Sequence, residues 1–304
     1  MMNRKFISLL IGAVLFTQFS FVGPLPAEDE NPVKKGYVPV HGLKIYCEVY
    51  GVLNETTVPL VLLHGGGSTL DTSFGSIIPR LAKNRTVIAF DQKGHGRTAD
   101  NIDPFSFEDS ADDTVALLLY FKVRQADFLG YSNGGNIALQ IAIRHQKVVR
   151  KLIIASAMTK RDGMVEGFWE GMKNAKLDSM PAELKEAYLK NAPDPKQLQS
   201  FHDKSVARMM EFTDWPDSYL KGIQVPTLIL IGDHDIIRPE HAMEMFRLLP
   251  KGELLIVPGV NHMTLVQNWP VALINKFLDA AENPVLPPPE PEVKSVLPPP
   301  RAGE

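Results

Sequence analysis

The sequence predicts an α/β fold with a mainly parallel sheet, helices on both faces and an inserted helical lid. From Pro59 onward, short apolar runs alternate with segments of helical spacing. The runs at 59–63 and 86–90 are apolar at nearly every position, as in strands that are covered on both faces. Strands and helices in alternation imply right-handed crossover connections, and these produce a mainly parallel sheet.

Two strands are predicted before this alternation begins. Residues 36–40 and 43–50 indicate an antiparallel hairpin that turns at His41 and Gly42. After the strand at 59–63, one helix is expected. Its apolar residues have the i, i+3, i+4, i+7 spacing of a buried helix face, and they are Phe74, Ile77, Ile78 and Leu81.

The next elements lead toward the middle of the chain. A helix at 107–121 is expected to turn Val115, Leu118 and Leu119 inward, and strands are predicted at 126–129 and 149–156. Between residues 160 and 225 the alternation stops. Two or more short helices are predicted there from residues of helical spacing and from interrupting prolines, namely Phe168, Trp169, Met172, Leu184, Tyr188, Leu189, Pro181, Pro193 and Pro195.

The segment 160–225 is interpreted as a lid over the strand ends, with connecting helices that only pack on the core as the alternative. The sheet resumes with strands at 227–231 and 253–257, and Pro239 suits the first turn of the helix between them. A final helix from about Trp269 is expected to bury Val271, Ile274, Phe277 and Leu278. The α/β core is therefore assigned to 28–159 and 226–282.

Both ends of the chain are expected to lie outside that core. Residues 1–27 resemble a secretory signal peptide, with Arg4 and Lys5 before an apolar run and a cleavage site after about Ala27, which predicts export to the periplasm or the medium. A retained N-terminal membrane anchor is the alternative; after cleavage no stable membrane span is expected. Residues 283–304 repeat Val-Leu-Pro-Pro-Pro, which predicts a disordered proline-rich tail.

Composition restricts the class of ligand. The chain has 304 residues, 44% of them hydrophobic, and a net charge of −3 with a pI near 6.3. This gives no electrostatic basis for binding nucleic acid, so a small-molecule partner is expected. Cys47 is the single cysteine and is interpreted as a small core side chain. No metal site and no cofactor are predicted.

The stretch Gly130-Tyr131-Ser132-Asn133-Gly134-Gly135 joins an apolar strand to a helical segment. So sharp a turn needs glycine two positions before and after Ser132, because a Cβ there would clash with neighbouring backbone. The turn exposes the serine hydroxyl at the sheet edge and puts the Asn133 amide at a helix N-terminus, which favours negative charge. A serine in an ordinary glycine-rich turn is the alternative.

A serine hydroxyl is a weak nucleophile until a base removes its proton and a third group orients that base. Ser132, Asp235 and His262 follow three apolar strands in this chain order. Because the carboxyl ends of parallel strands lie at one edge, the three side chains are expected to meet there. Asp233 is the alternative acid. His64, His95 and His234 are interpreted as structural or loop residues.

On these residues, the chain from about 36 to 281 resembles a lid-bearing α/β-hydrolase of the esterase, lactonase and carbon–carbon hydrolase type. The resemblance rests on the Gly-x-Ser-x-Gly turn, Gly232-x-x-Asp235, Gly259-x-x-His262 and the His-Gly loop after the first parallel strand. It implies a catalytic triad of Ser132, Asp235 and His262. It also implies an oxyanion hole formed by the amides of Asn133 and Gly66, with Gly67 as the second choice.

Asp91 opens a motif similar to the family's Asp-x-Arg-Gly-x-Gly-x-Ser, which usually braces a turn. Lys93 stands at the arginine position of that motif and Thr98 at its serine position.

The resulting hypothesis is a serine hydrolase of small to medium carboxylic esters or lactones. One alternative is a carbon–carbon hydrolase of the same fold, which would need a cation such as Arg161 or Arg208 for a substrate carboxylate. Another is a non-catalytic protein of this fold that binds a small ligand. Aromatic and methionine side chains in the segment 160–225 suggest an apolar acyl or alcohol portion.

Overall fold

A computed structural model of the protein describes residues 33–54 and 56–281. The predicted signal peptide at 1–27 and proline-rich tail at 283–304 lie outside these described residues. None of the helices within the described part of the chain is both long and apolar enough to cross a bilayer.

The described residues form an eight-stranded sheet with the order β1-β2-β4-β3-β5-β6-β7-β8. β1 pairs antiparallel with β2 and β2 antiparallel with β4, whereas every other neighbouring pair is parallel. The strands are β1 (Val33–Val40), β2 (Leu43–Tyr50), β3 (Leu60–Leu63), β4 (Val87–Phe90), β5 (Ala126–Tyr131), β6 (Val149–Ala155), β7 (Thr227–His234) and β8 (Gly252–Asn261). The predicted fold class is confirmed.

Helices cover both faces of this sheet. They are α1 (Leu70–Phe74), α2 (Ile78–Leu81), α3 (Phe107–Tyr120), α4 (Asn133–Arg144), α5 (Phe168–Lys173), α6 (Ala182–Asn191), α7 (Leu198–Met210), α8 (Asp217–Gly222), α9 (Pro239–Leu248) and α10 (Val271–Asp279). Apolar residues of α1, α2 and α10 share one core layer, and those of α3, α4 and α9 share the other.

Strand β3 shows why the central strands are apolar throughout. Leu60 and Leu62 belong to the core layer of α1, α2 and α10, whereas Val61 and Leu63 belong to the opposite layer. Successive side chains of a strand point to opposite faces, so a strand covered on both faces buries every side chain.

The predicted hairpin is also confirmed. His41 and Gly42 have φ angles of 44° and 81°, as in the two-residue turns whose twist matches that of the flanking strands. Cys47 in β2 is buried in the core, and this burial raises the pKa of its thiol.

The prediction of a single helix around residues 74–81 is wrong, because the structure has two short helices there. All four residues of the predicted stripe are buried, but residues 75–77 form a turn between α1 and α2. Pro79 lies in the first turn of α2, where a missing N–H group is tolerated. In a continuous helix, its ring would clash with the carbonyl group of Gly75.

The inward face expected for α3 is partly wrong. Leu118 is fully buried, but Leu119 is 67% exposed and Leu117 is buried instead. Ser106 caps the N-terminus of the helix, and its hydroxyl accepts a hydrogen bond from the Asp109 amide at 2.9 Å. Leu119 follows Leu118 by about 100° around the helix, which turns its side chain away from the sheet.

The turn brace at Asp91 is present despite the departures at Lys93 and Thr98. The carboxylate accepts hydrogen bonds from the Leu70 amide at 2.9 Å and from the Arg97 amide and Nη1 at 3.0 and 2.9 Å. Thr98 Oγ1 donates to the Asp91 carbonyl group at 2.6 Å. Arg97 therefore supplies the cation of the brace, and the threonine hydroxyl supplies its hydrogen bond.

The segment 160–225 contains α5 to α8 and lies between β6 and β7 in the chain. Pro181 precedes α6, and Pro195 lies in a short 3₁₀ helix that precedes α7, so the prolines interrupt helices as predicted. Met164 near the start of this segment pairs with Ile237 beyond β7 in an isolated antiparallel bridge. This bridge ties the segment to the loop that carries Asp235.

Candidate active site

Ser132 occupies the sharp turn between β5 and α4. Its φ and ψ angles are 54° and −124°, in a region that residues other than glycine seldom adopt. A Cβ added to Gly130 would lie 2.1 Å from the carbonyl oxygen of Gly134, and one added to Gly134 would lie 1.9 Å from that of Leu63. Only glycine therefore fits at the two positions that flank the serine, as the sequence predicts.

The structure brings Ser132, His262 and Asp235 together at the carboxyl edge of the sheet. His262 Nε2 lies 3.0 Å from Ser132 Oγ, and His262 Nδ1 lies 2.8 Å from Asp235 Oδ1. One imidazole ring thus bridges a serine hydroxyl and a buried carboxylate. This arrangement can pass the hydroxyl proton to the imidazole and stabilise the imidazolium that forms.

The Asp235 carboxylate is enclosed by donors. Oδ1 also accepts a hydrogen bond from the Ile237 amide at 3.1 Å, and Oδ2 accepts one from the Ser156 hydroxyl at 2.6 Å. Burial alone would raise the pKa of Asp235, but the donors, His262 foremost, outweigh it and lower this pKa below its usual value. The Asp235 carboxyl group is therefore held as an anion.

Asp233, the alternative acid, lies elsewhere. Its Oδ1 accepts a hydrogen bond from the Val260 amide at 3.2 Å, and its side chain is 37% exposed. Within the described residues, Asp235 is the carboxylate that reaches His262.

The three histidines interpreted as structural or loop residues make no hydrogen bond to the Ser132 hydroxyl among the described residues. His64 Nε2 accepts a hydrogen bond from the Gln92 amide at 3.0 Å, and His95 Nδ1 lies 2.8 Å from the Lys93 carbonyl oxygen. Burial lowers the pKa of both rings, which keeps them neutral. The His234 side chain is 73% exposed.

Gly66, Gly67 and Asn133 line the same cavity as Ser132. Asn133 is the first residue of α4, where the amide group has no partner within the helix. Among residues 33–54 and 56–281, no hydrogen bond engages the amides of Gly66 and Asn133. Two free N–H groups beside the serine hydroxyl can receive an oxyanion.

Two contacts at the site escaped the sequence analysis. The Tyr131 hydroxyl donates to the His262 carbonyl group at 2.6 Å, and the two rings lie 5.2 Å apart between centroids. Tyr131 thus holds the loop that carries His262. Ser156 donates to Asp235, and its position directly after strand β6 is the signal that could have identified it.

A cavity of about 310 Å³ lies above Ser132. The segment 160–225 contributes much of its wall, and its apolar lining includes Met158, Met164, Met172, Met180, Met209, Phe168, Phe201, Leu184, Val206, Ile236 and Ile237. Such a lining favours an apolar ligand group, and unbranched methionine side chains adapt to its shape. Within the described ranges, no group of three or more His, Cys, Asp or Glu side chains is placed to hold a metal ion.

The two candidate cations differ in their surroundings. Arg161 donates to the carbonyl groups of Met210 and Phe212 at 3.2 and 3.0 Å and stacks on Trp169, so it braces the segment 160–225. Arg208 is buried, and this burial lowers its pKa to about 10.

Arg208 lies behind the loop of Gly66. Its Nη2 is 3.5 Å from the position of a Cβ added to Gly66, and its guanidinium carbon is 5.5 and 5.2 Å from the ring centroids of Phe105 and Phe107. No residue in the described part of the chain accepts a hydrogen bond from its Nε or Nη2.

Comparison with known proteins agrees with this fold. A sequence model described as the alpha/beta hydrolase fold matches residues 58–180, which include β3 to β6 and Ser132. The chain has the α/β-hydrolase fold, and within these residues its sequence is similar to that family. Its relatives include a methyl ester esterase and a proline iminopeptidase.

Two curated relatives of this α/β-hydrolase have similar identity but different coverage. The pimeloyl-[acyl-carrier protein] methyl ester esterase of Neisseria meningitidis is 29% identical over 218 residues, which cover 64% of this chain and 82% of that protein. The dihydrolipoyllysine-residue acetyltransferase component of the acetoin cleaving system of Pseudomonas putida is 28% identical over 242 residues. That match covers 70% of this chain and 60% of the length of the relative.

A solved structure shares the fold of this α/β-hydrolase. The 2-hydroxy-6-oxo-6-phenylhexa-2,4-dienoate hydrolase of a Rhodococcus strain has a TM-score of 0.68 at 19% identity, and the match covers 82% of this chain and 100% of that one.

Proposed function

We propose that this α/β-hydrolase is a serine hydrolase that cleaves small to medium carboxylic esters or lactones through an acyl-enzyme. The observation that carries the proposal is the unbroken contact from Ser132 Oγ through His262 to the Asp235 carboxylate, at 3.0 and 2.8 Å, on the floor of an apolar cavity. Nucleophile, base and orienting acid are the three groups that acyl transfer by a serine requires.

In the first step, Ser132 Oγ attacks the substrate carbonyl carbon while its proton passes to His262 Nε2. The carbonyl π electrons move to the oxygen, and a tetrahedral intermediate forms. His262 then gives this proton to the leaving alkoxide as the carbon–oxygen bond breaks, which leaves Ser132 acylated. Water repeats the sequence with His262 as base, and the acid product and free Ser132 result.

The amides of Asn133 and Gly66 stabilise the oxyanion of the intermediate in this mechanism, with Gly67 as the alternative to Gly66. Their support is position: each lines the cavity beside Ser132, and neither N–H of the preferred pair has another partner in the described residues. The loss of one such donor typically raises the transition state by about 3 kcal/mol.

The cavity supports an apolar acyl or alcohol group of limited length. Its volume of about 310 Å³ lies near the lower end of the ~300–1,000 Å³ range of ligand pockets. The similarity to a methyl ester esterase supports ester cleavage. The segment 160–225, as a lid, selects the substrate.

The test is a panel of p-nitrophenyl esters of increasing acyl length, a set of lactones and a fluorophosphonate probe, with Ser132→Ala as control. We expect labelling and turnover of the wild type, both abolished in Ser132→Ala, with a rate maximum at short to medium chains. A folded wild type that neither reacts with the probe nor turns over any ester or lactone would contradict the proposal and favour the ligand-binding alternative.

Arg208 favours carbon–carbon hydrolysis as a second candidate function. It is a buried cation behind the loop that carries Gly66, and its Nε and Nη2 have no hydrogen-bond acceptor among the described residues. A substrate carboxylate would supply a negatively charged hydrogen-bond acceptor for this guanidinium. A dienoic keto-acid carries such a group.

This candidate is tested with a dienoic keto-acid and a neutral p-nitrophenyl ester, assayed on the wild type, Arg208→Gln and Arg208→Lys. If the carboxylate binds Arg208, Arg208→Gln lowers kcat/KM for the keto-acid far more than for the ester, and Arg208→Lys lies between. An equal effect on both substrates, or no cleavage of the keto-acid by the wild type, would eliminate this candidate and leave the ester proposal standing.

A further inference from the structure

Ser156 shares a positive φ angle with Ser132. Its φ angle is 54°, equal to that of Ser132, and the two serines follow the neighbouring strands β5 and β6. Its amide donates to the Leu230 carbonyl group at 2.9 Å and so continues the pairing of β6 with β7. Serine is strained in this region, whereas glycine would fit without strain. The backbone therefore does not require the serine side chain.

In the part of the chain that the structure describes, the Ser156 hydroxyl makes a single hydrogen bond. It donates to Asp235 Oδ2 at 2.6 Å, and the residue is 3% exposed. Oδ1 of the same carboxylate lies 2.8 Å from His262 Nδ1 and accepts from the Ile237 amide. The two carboxylate oxygens thus have different partners, and Ser156 is the side chain that contacts Oδ2.

The plane of an aspartate carboxylate is weakly defined by its own torsion, because rotation about χ2 has a broad energy profile. A donor at each oxygen is needed to fix that plane. Without the Ser156 hydroxyl, the carboxylate of Asp235 could rotate and Oδ1 would leave the axis of the His262 Nδ1–H bond. Orientation of the imidazole by the carboxylate is what keeps its Nε2 available as a base.

We propose that Ser156 is a positioning residue for Asp235, whose hydroxyl holds Oδ2 so that Oδ1 remains aligned with His262. The inference rests on the proposed function, in which Asp235 is the acid of the triad. Within the described residues, the Ser156 hydroxyl makes no hydrogen bond to Ser132 or His262, so it acts through the carboxylate.

The experiment compares Ser156→Gly with Ser156→Ala in the full-length protein. Both variants lose the hydroxyl, but glycine relieves the left-handed strain and alanine retains it, so the melting temperature of Ser156→Gly is expected to equal or exceed that of Ser156→Ala. Measurements are the melting temperature, the rate of fluorophosphonate labelling, and kcat and KM for the best p-nitrophenyl ester from pH 5 to 9.

We expect kcat and the labelling rate to fall by about 10- to 100-fold in both variants, the usual effect of removing one hydrogen bond to a charged group, while KM changes by less than about twofold. A role in backbone geometry alone would move neither quantity in Ser156→Ala.

Wild-type kcat and a wild-type labelling rate in both variants would overturn the proposal. Failure of the proposed function is recognised separately: the wild type itself would then resist labelling and leave the esters intact, and the inference would fall with it. If the wild type is labelled and both variants match it, only the positioning role of Ser156 is refuted.

Discussion

A methyl group added to the α-carbon of Gly66 would lie 2.2 Å from Nδ2 of Asn133 and 3.1 Å from its Cγ. The loop after β3 and the first turn of α4 are therefore packed so closely that the carboxamide of one residue covers the α-carbon of the other. Both residues carry the amides proposed for the oxyanion hole. Their spacing is accordingly sensitive to a single added carbon.

Gly66→Ala is expected to lower kcat/KM by up to about 100-fold, because the new Cβ displaces Asn133 and with it an oxyanion donor. Steady-state kinetics on the best ester measure the loss. Gly222→Ala is the matched control, since its Cβ would meet no atom within 4 Å. The double variant Gly66→Ala/Asn133→Ala should regain most of the activity, because it removes the carboxamide and keeps the amide; no recovery would refute the clash as the cause.

Asp235→Asn is expected to reduce kcat by about 10⁴-fold, because an amide cannot stabilise the imidazolium or fix the reactive tautomer of His262. The control is Asp233→Asn, which keeps an oxygen that can accept the hydrogen bond from the Val260 amide. Its kcat should stay within about threefold of the wild-type value. Kinetics on the same ester decide between the two carboxylates. A larger loss in Asp233→Asn would reverse the assignment of the acid.

The positions of Ser132, Asp235 and His262 could be predicted because they depend on the chain order and on one geometric rule. Each residue lies at or just beyond the carboxyl end of a sheet strand, and parallel strands gather those ends at one edge. The glycines at 130 and 134 were predictable for a similar reason, since a sharp turn leaves no space for a Cβ.

The position of Ser156 directly after β6 places it at the edge of the site, but the hydrogen-bond partners of Ser156 and Tyr131 could not be predicted from the sequence. Ser156 reaches Asp235 from a neighbouring strand 79 residues away, and Tyr131 reaches His262 across 131 residues. Such contacts depend on side-chain directions that periodicity does not determine. The division of the predicted helix into α1 and α2 could have been predicted, because Pro79 disfavours a continuous helix at this point. The apolar stripe continues on both sides of Pro79, and its helical spacing led to the prediction of a single helix.

Stability should depend on pH through Asp235. Hydrogen bonds lower its pKa in the folded state below the value of about 3.9 expected when unfolded, despite opposing burial. Its stabilising contribution is therefore fully present above about pH 4 and is lost as the pH falls through the folded-state pKa. Urea unfolding at pH 6, 5, 4 and 3 should give a free-energy difference between wild type and Asp235→Asn that shrinks with acidity. A constant difference would contradict this linkage.

Lys151 near the start of β6 should be a major source of stability. The residue is 1% exposed, and its Nζ donates to the carbonyl groups of Phe277, Leu278 and Ala280 at 2.8, 3.1 and 2.8 Å, which places a cation at the C-terminus of α10. Lys151→Met leaves these carbonyl groups without that donor and is expected to destabilise the fold by about 3 kcal/mol, or roughly 6–12 °C in Tm.

Thermal unfolding measures this loss, with Lys83→Met as the exposed control, for which a change within about 0.5 kcal/mol is expected. Lys151 lies toward the amino end of β6, and the edge that carries Ser132 and Ser156 is at the other end of the strand. Lys151→Met should therefore retain near wild-type kcat/KM at temperatures well below its Tm. Equal Tm values for the two methionine variants would show that the lysine does not anchor α10.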